Sequence, residues 1–469
     1  MASFIQNSAV NSVGLEQQEF DFPTIGLPKI IPINPDVNGN STHTRVSGFG
    51  WYGGALAVDG NIYSPPYGET TILGINTKTK KAFTIDISGV SANQQTYGSF
   101  VAHPNGKLYA SPMDVGKVLE FDPINKSYST FGLGQVPVAS NGWVKGIVSP
   151  SGFIYCIPSG SNEVLKIDVY NKTVTSFGDT GYTGLASEAS TNDKGSSHFE
   201  TAILVGNKIY CIPGYAKTDE ENAVSPNKRW IVGIIDTTND TLDMTSFTFG
   251  ETELAQFNNH AGTTNNGGTE ATAADWSKAF AGAVMGTDGK IYTIPGGYPY
   301  ICVIDPLTNT ISRMNNVPLG TISGSGTSTI FGRNDRPFGG ASFEPDGKLM
   351  GGILAANGKI YAYRIGSNPN APQCNSIIEI NTETQSWRSI SLPTTMPDGE
   401  LYDSTFWFYT TILGPDGGIY GIPYMDNYST TSGARGGNIT LGDTPCVWIP
   451  PSGALPAPWI LNSNQNGIF

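Results

Sequence analysis

The sequence predicts an all-β protein, a seven-bladed β-propeller of four-stranded antiparallel blades with an N-terminal extension. Three observations lead to this prediction. A phrase of the type Asp-Gly-Lys-Ile-Tyr-x-Ile-Pro occurs seven times, a second hairpin pattern follows six of the copies, and only 14% of the residues are charged. An average soluble domain has roughly 25% charged residues. A surface rich in Gly, Ser, Thr and Asn suits turn-rich β structure better than helices.

The repeated phrase is typical of a β-hairpin. An apolar run comes first, and Asp-Gly or Asn-Gly then tolerates the positive φ angles of a two-residue turn. The Ile-Tyr segment favours a strand, and the proline after it cannot donate to a ladder. The copies are DGNIYSPP (59–66), NGKLYASP (105–112), SGFIYCIP (151–158), GNKIYCIP (206–213), DGKIYTIP (288–295), NGKIYAYR (357–364) and DGGIYGIP (416–423).

The second hairpin joins an apolar strand to a strand of alternating polarity through an Asp/Asn-Pro-x-x-Asn turn. Clear examples are VLEFDPINKSYSTF (118–131) and ICVIDPLTNTISRM (301–314). Two hairpins make a four-stranded sheet, and successive tyrosines of the first copies are 46 residues apart. Repeats of this length and strand content indicate propeller blades.

The seventh copy lacks a clear second hairpin, and a stretch at 20–50 precedes the first copy. Because a propeller must close its ring, we expect this stretch to supply the missing strand. The predicted division is an N-terminal arm at 1–50 and the propeller at 51–469. The longer gaps between copies hold predicted insertions, at 178–197, 245–279, 315–348 and 424–436.

Two columns of equivalent positions precede the hairpin tyrosines. Twelve residues before each tyrosine stand Trp51, Tyr97, Trp143, His198, Phe280, Leu349 and Phe408. Two residues further on stand Gly53, Ser99, Lys145, Glu200, Gly282, Gly351 and Thr410. Alternate residues share one face of a strand. Because the axis of a closed ring is crowded, we predict that the second, smaller column faces the central channel and that the aromatic column rings one mouth.

Aromatic faces with a few polar groups suit a sugar ring or a loop of a partner. The candidate ligand-binding residues at the channel mouth are therefore Trp51, Tyr97, Trp143, Lys145, His198, Glu200, Phe280 and Phe408. Lys145 and Glu200 stand on neighbouring blades and are expected to pair or to hold a polar ligand. Alternatively, the large side chains are wedges that pack blade against blade, which we favour, and for His198 we favour packing over a role as a catalytic base.

The sequence contains no recognisable catalytic or metal-binding signature. The four histidines, His43, His103, His198 and His260, have no metal-binding spacing, and no Gly-x-Ser-x-Gly sequence occurs. We predict no catalytic residue, metal or cofactor, with a channel metal held in part by Glu200 as the alternative. Cys156 and Cys211 stand at the same position in two copies of the repeat. If the two sheets are neighbours, these residues are too far apart for a disulfide. We therefore expect both to be buried thiols.

Charge and hydropathy restrict the partners. The net charge is −13 and no cluster of Lys and Arg occurs, which argues against nucleic acid and against an anionic membrane surface. No apolar run of 18 residues occurs, so we expect no membrane insertion. The first residues lack a basic segment followed by an apolar one, so we expect no secretory signal and a cytoplasmic or virion location.

The DGKIY hairpins and the turn IDPLTNT (304–310) resemble repeats of the broad propeller group that contains YVTN-type, streptogramin-lyase-like and kelch-like proteins. The resemblance covers residues 51 to about 450 and concerns the architecture of the blades. A streptogramin lyase would imply a catalytic histidine and acid with a divalent metal in the channel, and no residue here matches such a motif.

The function expected from the sequence is that of a non-enzymatic interaction module that presents loops to a protein partner or a surface glycan. Low charge and loops rich in Asn, Ser, Thr and Gly favour this interpretation. Such a module would suit a larger assembly, for example as a structural or host-recognition component of a virus particle. The alternative is a metal-dependent lyase or lactonase with its site in the central channel.

Overall fold

A computed structural model of the chain contains seven four-stranded antiparallel sheets, which confirms the predicted propeller. The sheets follow one another along the chain, and in six of them the four strands pair in chain order. The structure describes residues 29–31, 50–90, 96–139, 141–181, 198–214, 231–247, 280–295, 300–314, 348–355, 357–365, 376–391, 407–425 and 446–449. Most of each predicted insertion and of the arm at 1–50 lies outside these ranges.

The first strand, β1 (Lys29–Ile31), belongs to the last sheet. The first four sheets that follow it have these strands. Sheet 1 contains β2 (Ala55–Leu56), β3 (Ile62–Ser64), β4 (Thr71–Asn76) and β5 (Lys81–Asp86). Sheet 2 contains β6 (Tyr97–Ala102), β7 (Leu108–Pro112), β8 (Lys117–Asp122) and β9 (Ser127–Gly132). Sheet 3 contains β10 (Trp143–Val148), β11 (Ile154–Pro158), β12 (Val164–Asp168) and β13 (Thr173–Phe177). Sheet 4 contains β14 (Phe199–Val205), β15 (Lys208–Pro213), β16 (Gly233–Asp236) and β17 (Thr241–Asp243).

The remaining three sheets complete the ring. Sheet 5 contains β18 (Phe280–Met285), β19 (Ile291–Pro295), β20 (Cys302–Asp305) and β21 (Thr310–Arg313). Sheet 6 contains β22 (Lys348–Leu354), β23 (Lys359–Ile365), β24 (Ser376–Asn381) and β25 (Ser386–Ser391). Sheet 7 contains β26 (Trp407–Leu413), β27 (Ile419–Met425), β28 (Cys446–Ile449) and, at its outer edge, β1.

The first strand of each sheet is the innermost one. These strands contact one another in order around the ring, from β2 through β6, β10, β14, β18 and β22 to β26, and β26 in turn contacts β2. Their crowding explains the glycines of the predicted small column. A Cβ on Gly282 would lie 3.3 Å from the Cα of Gly351 on the next sheet, tighter than ordinary packing.

The two ends of the chain meet in sheet 7. Lys29 stands opposite Trp448 and Ile31 opposite Cys446, so β1 is the fourth strand that the seventh repeat lacks. The Ile31 side chain is buried in the apolar cluster that joins sheets 7 and 1, together with Trp51 and Ile422. A strand from the region 20–50 therefore supplies the strand that is missing from the seventh repeat, as the sequence predicts.

Apolar clusters fill the space between successive sheets. Between sheets 1 and 2, for example, Tyr63 packs against Phe121 with ring centroids 4.9 Å apart, and Phe100 lies in the same buried cluster. Burying one large apolar side chain stabilises a fold by about 1.5–3 kcal/mol. A single sheet buries little apolar surface by itself, so the ring stabilises all of the sheets together.

The turns of the outer hairpins share one backbone geometry. Each places a non-glycine residue in the left-handed region, with φ between 51° and 55°, namely Lys80, Lys126, Lys172, Asp240, Asn309 and Gln385. An Asp or Asn at the start of the turn accepts backbone N–H groups, as Asp122 does from Ile124 and Asn125 at 2.9 and 3.1 Å. This local hydrogen bonding is typical of Asx turns and offsets the cost of the positive φ.

At five of the seven junctions a hairpin tyrosine connects its sheet to the outer turn of the next sheet, and we call this contact the tyrosine latch. At the junction of sheets 7 and 1, the Tyr420 hydroxyl donates to Thr77 O at 3.2 Å and accepts from Lys80 Nζ at 2.7 Å. Lys80 also pairs with Asp416 at 2.5 Å. Latches with a direct bond from the tyrosine hydroxyl to the neighbouring turn involve Tyr63, Tyr155, Tyr210, Tyr292 and Tyr420.

Two junctions differ from this pattern. Between sheets 2 and 3, Lys172 of the turn pairs with Glu120 at 3.6 Å, while Tyr109 accepts a bond from Asn105 of its own hairpin. In sheet 6, the Tyr361 hydroxyl donates to Glu379 of the same sheet at 2.9 Å. Sheet 7 has no equivalent outer turn, because its two outer strands come from opposite ends of the chain.

The described cysteines agree with the predicted buried thiols. Cys156, Cys211 and Cys302 are free and buried, and burial raises the pKa of the Cys156 and Cys211 thiols. In the part of the chain that the structure describes, no helix has the length and hydropathy needed to cross a membrane.

Replacing the latch tyrosine at the ring closure tests its contribution to stability. We expect Tyr420→Phe to lower the free energy of unfolding by about 1–2 kcal/mol, because it removes the hydroxyl that bonds Lys80 and Thr77. Tyr128→Phe, at an exposed tyrosine outside any latch, is the control and should change it little. Denaturant unfolding measures both, and equal stability of Tyr420→Phe and wild type would contradict the role of the latch.

A second substitution tests the closing strand. Ile31→Ala removes a side chain that is 1% exposed in the cluster between sheets 7 and 1. We expect a loss of about 2–4 kcal/mol in the free energy of unfolding, as for other buried isoleucines. The exposed Ile124 is the matched control, and Ile124→Ala should leave the thermal midpoint nearly unchanged. A loss at position 31 no larger than at position 124 would show that β1 is not required for closure.

Candidate functional site

A pocket of about 80 Å³ lies on the axis of the ring. Every one of the seven sheets contributes to its lining through the first strand or the residues just before it. The lining includes the polar residues Ser99, Lys145, Glu200, Thr201, Thr410 and Thr411. Six of the seven predicted channel positions line it, all but Gly53, whose neighbour Gly54 does so instead. The small column therefore faces the channel.

Lys145 carries the positive charge of this pocket. Its Nζ donates a hydrogen bond to Thr201 Oγ1 at 3.0 Å. The residue as a whole is partly exposed, but its ammonium is buried in the pocket, and desolvation lowers the pKa of this group from 10.5 to about 8. A lysine near neutral pKa in a pocket can hold an anion when protonated or act as a base when neutral.

Glu200 reaches the same pocket from sheet 4, but one residue away from its predicted register. In sheet 3, Trp143 pairs with Pro158 and Lys145 with Ile157. In sheet 4 the corresponding pairs are Phe199 with Pro213 and Thr201 with Ile212. The hairpin turn of sheet 4 is one residue shorter, so the fixed count of twelve is wrong there. Thr201, not Glu200, is the equivalent of Lys145, and it is Thr201 that bonds Lys145.

The same shift removes His198 from the aromatic column, where Phe199 stands instead. His198 is 3% exposed, just before β14, with its Nδ1 3.3 Å from Thr180 Oγ1. Burial lowers the pKa of its imidazole from 6.5 to about 4, so the ring is neutral at pH 7. This environment agrees with a packed histidine rather than a solvent-exposed base.

The other described aromatic candidates are packed side chains. Trp51, Tyr97, Trp143 and Phe280 are at most 2% exposed. The indole nitrogens of Trp51 and Trp143 donate to Thr71 O at 2.7 Å and Glu163 O at 2.8 Å, each in its own sheet. None of these four lines the axial pocket. Ligand binding by these aromatic residues stays a prediction. Their burial agrees with the alternative role, in which they pack blade against blade.

Phe408 completes the predicted set, and it lies in β26 opposite Pro423. The aromatic–proline pair recurs in sheets 1 to 5 and 7, and in several of these sheets the ladder shifts register directly after it. Such bulges turn side chains toward a new direction. This explains how large side chains pack into the sheets while residues one or two positions later face the axis.

A second candidate site lies on the face of the ring that carries the hairpin turns. Among the described residues, Val58, Ile124 and Tyr170 are 65%, 63% and 70% exposed, on turns of sheets 1, 2 and 3. The turns adjoin one another: Lys126, two residues after Ile124, pairs with Asp59 at 2.6 Å. We call Val58, Ile124 and Tyr170 the turn-face patch.

Tyr170 is held rigidly. Its backbone N–H donates to Asp168 at 3.0 Å, and the His103 ring meets its ring edge to face at 5.6 Å. His103 is itself fixed by Gly152 O, 2.9 Å from its Nε2. The sequence signal for Ile124 and Tyr170 is an apolar residue at the third position of an outer turn, a feature shared by Leu307 of sheet 5. The other outer turns have Lys78, Thr238 or Glu383 at this position.

The two candidate sites differ in chemistry. Within the described ranges, no three His, Cys, Asp or Glu side chains come together as metal ligands. The axial pocket offers a lysine ammonium, hydroxyls and one carboxylate, and the turn-face patch offers exposed apolar surface on a rigid support. The seven four-stranded sheets make this protein a β-propeller. Proteins with this fold have varied functions, which depend on such local sites rather than on the scaffold.

No protein-family model matches the chain, and no curated protein matches it in sequence. The similarity to solved structures is confined to the fold. A streptogramin B lyase is 12% identical with a TM-score of 0.50, over 90% of this chain and 97% of that one. Virginiamycin B lyase from Staphylococcus aureus is 10% identical with a TM-score of 0.50, over 87% of this chain and 98% of that one.

A fungal alcohol oxidase in complex with copper is 13% identical with a TM-score of 0.50, over 91% of this chain and 76% of that one. The chain thus shares the propeller architecture with proteins of different activities. This confirms the architectural resemblance expected from the hairpin repeats.

Replacing Lys145 tests the energetic state of the pocket. The folded pKa of about 8 lies below the ordinary 10.5, so the buried ammonium destabilises the fold below pH 8. We expect Lys145→Met to raise the free energy of unfolding at pH 7 by about 1–3 kcal/mol. As the pH rises from 8 to 10.5 the wild type gains stability, since only its unfolded state then holds the proton, and the difference should shrink.

The control for this comparison is Lys117→Met, at an exposed lysine of β8. Thermal unfolding followed between pH 7 and 10 measures both variants. If Lys145→Met were less stable than wild type at pH 7, the prediction would be wrong. Groups other than Thr201 would then offset the desolvation cost of the ammonium.

Proposed function

We propose that this protein is a non-enzymatic recognition module that binds a protein partner through the turn-face patch. The observation that carries the proposal is the exposure of Val58, Ile124 and Tyr170 on three successive sheets of a rigid ring. Large apolar side chains on neighbouring turns are unusual for surface positions, and interface centres are enriched in such groups, tyrosine above all.

The rigidity of the patch supports its use in binding. Tyr170 and Ile124 both stand in turns closed by an aspartate that accepts two backbone N–H groups. A backbone that is already ordered loses little conformational entropy on association, so more of the contact energy appears as affinity. An aromatic anchor on a fixed support is the usual form of an interface hot spot.

Charge indicates the chemistry of the partner. Asp122 and Asp168 flank the exposed tips, and backbone N–H groups of Asn125 and Asn171 lower the pKa of these carboxyls. The lysines of the same two turns form ion pairs with carboxylates of sheets 1 and 2, Lys126 with Asp59 and Lys172 with Glu120. The chain as a whole carries a net charge of −13. The partner we propose presents an apolar centre with Lys or Arg at its rim, which would also accelerate association at low salt.

The test compares wild type with Val58→Ser/Ile124→Ser/Tyr170→Ser. The matched control is Leu307→Ser, at a side chain that is 94% exposed on a turn of sheet 5. We would purify the proteins of the source organism that bind to wild type and to the control but not to the triple variant. Each purified binder is then titrated with wild type and with the variants. We expect Tyr170→Ser alone to weaken the affinity about tenfold or more. Equal affinity of the triple variant and wild type for every purified binder would overturn the proposal.

The alternative, a metal-dependent lyase or lactonase acting in the channel, makes a different prediction. Metal analysis of the purified protein would then find a divalent ion at one equivalent per chain, and Glu200→Gln would reduce it. This outcome together with a lyase or lactonase activity would favour the enzyme, whereas metal far below one equivalent favours the recognition module.

We further propose that the module serves in a larger assembly, as a structural or host-recognition component of a virus particle. Loops rich in Asn, Ser, Thr and Gly and a charged fraction of only 14% support this placement. Neighbouring genes that encode particle proteins, and co-sedimentation of the chain with purified particles, are the expected results. A gene neighbourhood of metabolic enzymes and a free chain in the same gradients would contradict it.

A further inference from the structure

The axial pocket contains an ammonium that has few polar contacts. In the part of the chain that the structure describes, Thr201 Oγ1 is the one hydrogen-bond partner of Lys145 Nζ, at 3.0 Å. An ammonium has three N–H donors, so two of them remain for a ligand or for water. No ion pair joins Lys145 to a carboxylate among the described ion pairs.

Two hydroxyls add to this polarity. Thr201 Oγ1 accepts the bond from Lys145, and its own hydrogen has no acceptor among the described residues. Thr411, which also lines the pocket, is 8% exposed, and its Oγ1 has no hydrogen-bond partner among the residues that the structure describes. A buried polar group without a hydrogen-bond partner costs folding free energy. A ligand that formed hydrogen bonds with these groups would therefore gain binding free energy.

We propose that the axial pocket binds a small carboxylate, with the Lys145 ammonium and the Thr201 hydroxyl donating to its oxygens. Charge-assisted hydrogen bonds of this kind are about twice as strong as neutral ones. The site is independent of the turn-face patch: the patch lies on the hairpin turns, whereas this pocket lies among the first strands of the seven sheets.

The volume restricts the ligand. The pocket measures about 80 Å³, and in the same measure one water needs roughly 10–15 Å³. The space therefore suits an anion of the size of formate or acetate together with a few waters. Gly282 and Gly351 contribute backbone to the lining, and side chains at these positions would reduce the space further.

Glu200 determines how tightly the anion is held. Glu200 lines the same pocket, and its negative charge opposes a second one, so the site is expected to be weak and adjustable rather than saturated. The third ionisable side chain of the lining is Tyr52. Removing the charge of Glu200 should strengthen carboxylate binding, while removing that of Lys145 should weaken it. The two opposite effects distinguish this site from non-specific binding.

The experiment is an NMR titration of the full chain with acetate at pH 7, with chloride keeping the ionic strength constant. We expect Lys145→Met to raise the acetate dissociation constant about tenfold or more, and Thr201→Val to raise it about threefold to tenfold. Glu200→Gln should lower it. Lys117→Met is the control and should leave it unchanged, and Lys145→Arg keeps the charge and should retain part of the affinity.

Raising the pH provides a second readout. Since the Lys145 ammonium loses its proton near pH 8, the acetate affinity of wild type should fall between pH 7 and 9. Lys145→Arg should show no such fall, because a guanidinium stays charged. Absence of acetate binding to wild type, or equal binding by Lys145→Met, would overturn the proposal. Because none of these variants alters the turn-face patch, such a result would leave the recognition function to its own test.

Discussion

The hydrogen bond from a hairpin tyrosine to the turn of the neighbouring sheet is the contact that aligns the ring. Apolar burial drives the sheets together but has no preferred direction. A hydroxyl bonded to one backbone carbonyl, as Tyr420 is to Thr77 O at 3.2 Å, accepts only one placement of the next sheet. The left-handed residue of the outer turn, Lys80 at this junction, is the other half of the contact. The tyrosine hydroxyls of sheets 1, 3, 4, 5 and 7 make this contact with the next sheet.

The junctions without a direct latch show what the arrangement requires. Tyr361 bonds Glu379 within sheet 6, because sheet 7 has no outer turn to offer. The strand β1 occupies that edge, and its Ile31 joins the apolar cluster with Trp51. Closure by strands from both ends completes sheet 7 with a ladder of backbone hydrogen bonds in place of an outer hairpin. Stability and closure are therefore connected at the same sheet.

The same ring separates two environments that suit different ligands. At the axis, crowded backbones leave a small polar space, and Lys145 remains there although burial lowers the pKa of its ammonium to about 8. Proteins lose stability by burying such charges, and their retention is frequently connected with function. At the perimeter, turns hold Tyr170 in a fixed, exposed position. A rigid scaffold with variable turns allows binding surfaces to change without affecting the core.

The sequence by itself determined the number of sheets, their hairpins and the face that lines the channel, because these follow from local turn chemistry and from the alternation of side chains. It also located the gap that a strand near residue 30 fills. Only the tertiary structure decided which side chains meet. One residue fewer in the hairpin turn of sheet 4 moves Phe199 and Thr201 into the positions predicted for His198 and Glu200, and a count along the chain cannot register this. The exposure of Tyr170 likewise depends on the packing of His103 beneath it, which is a contact between sheets that no local pattern contains.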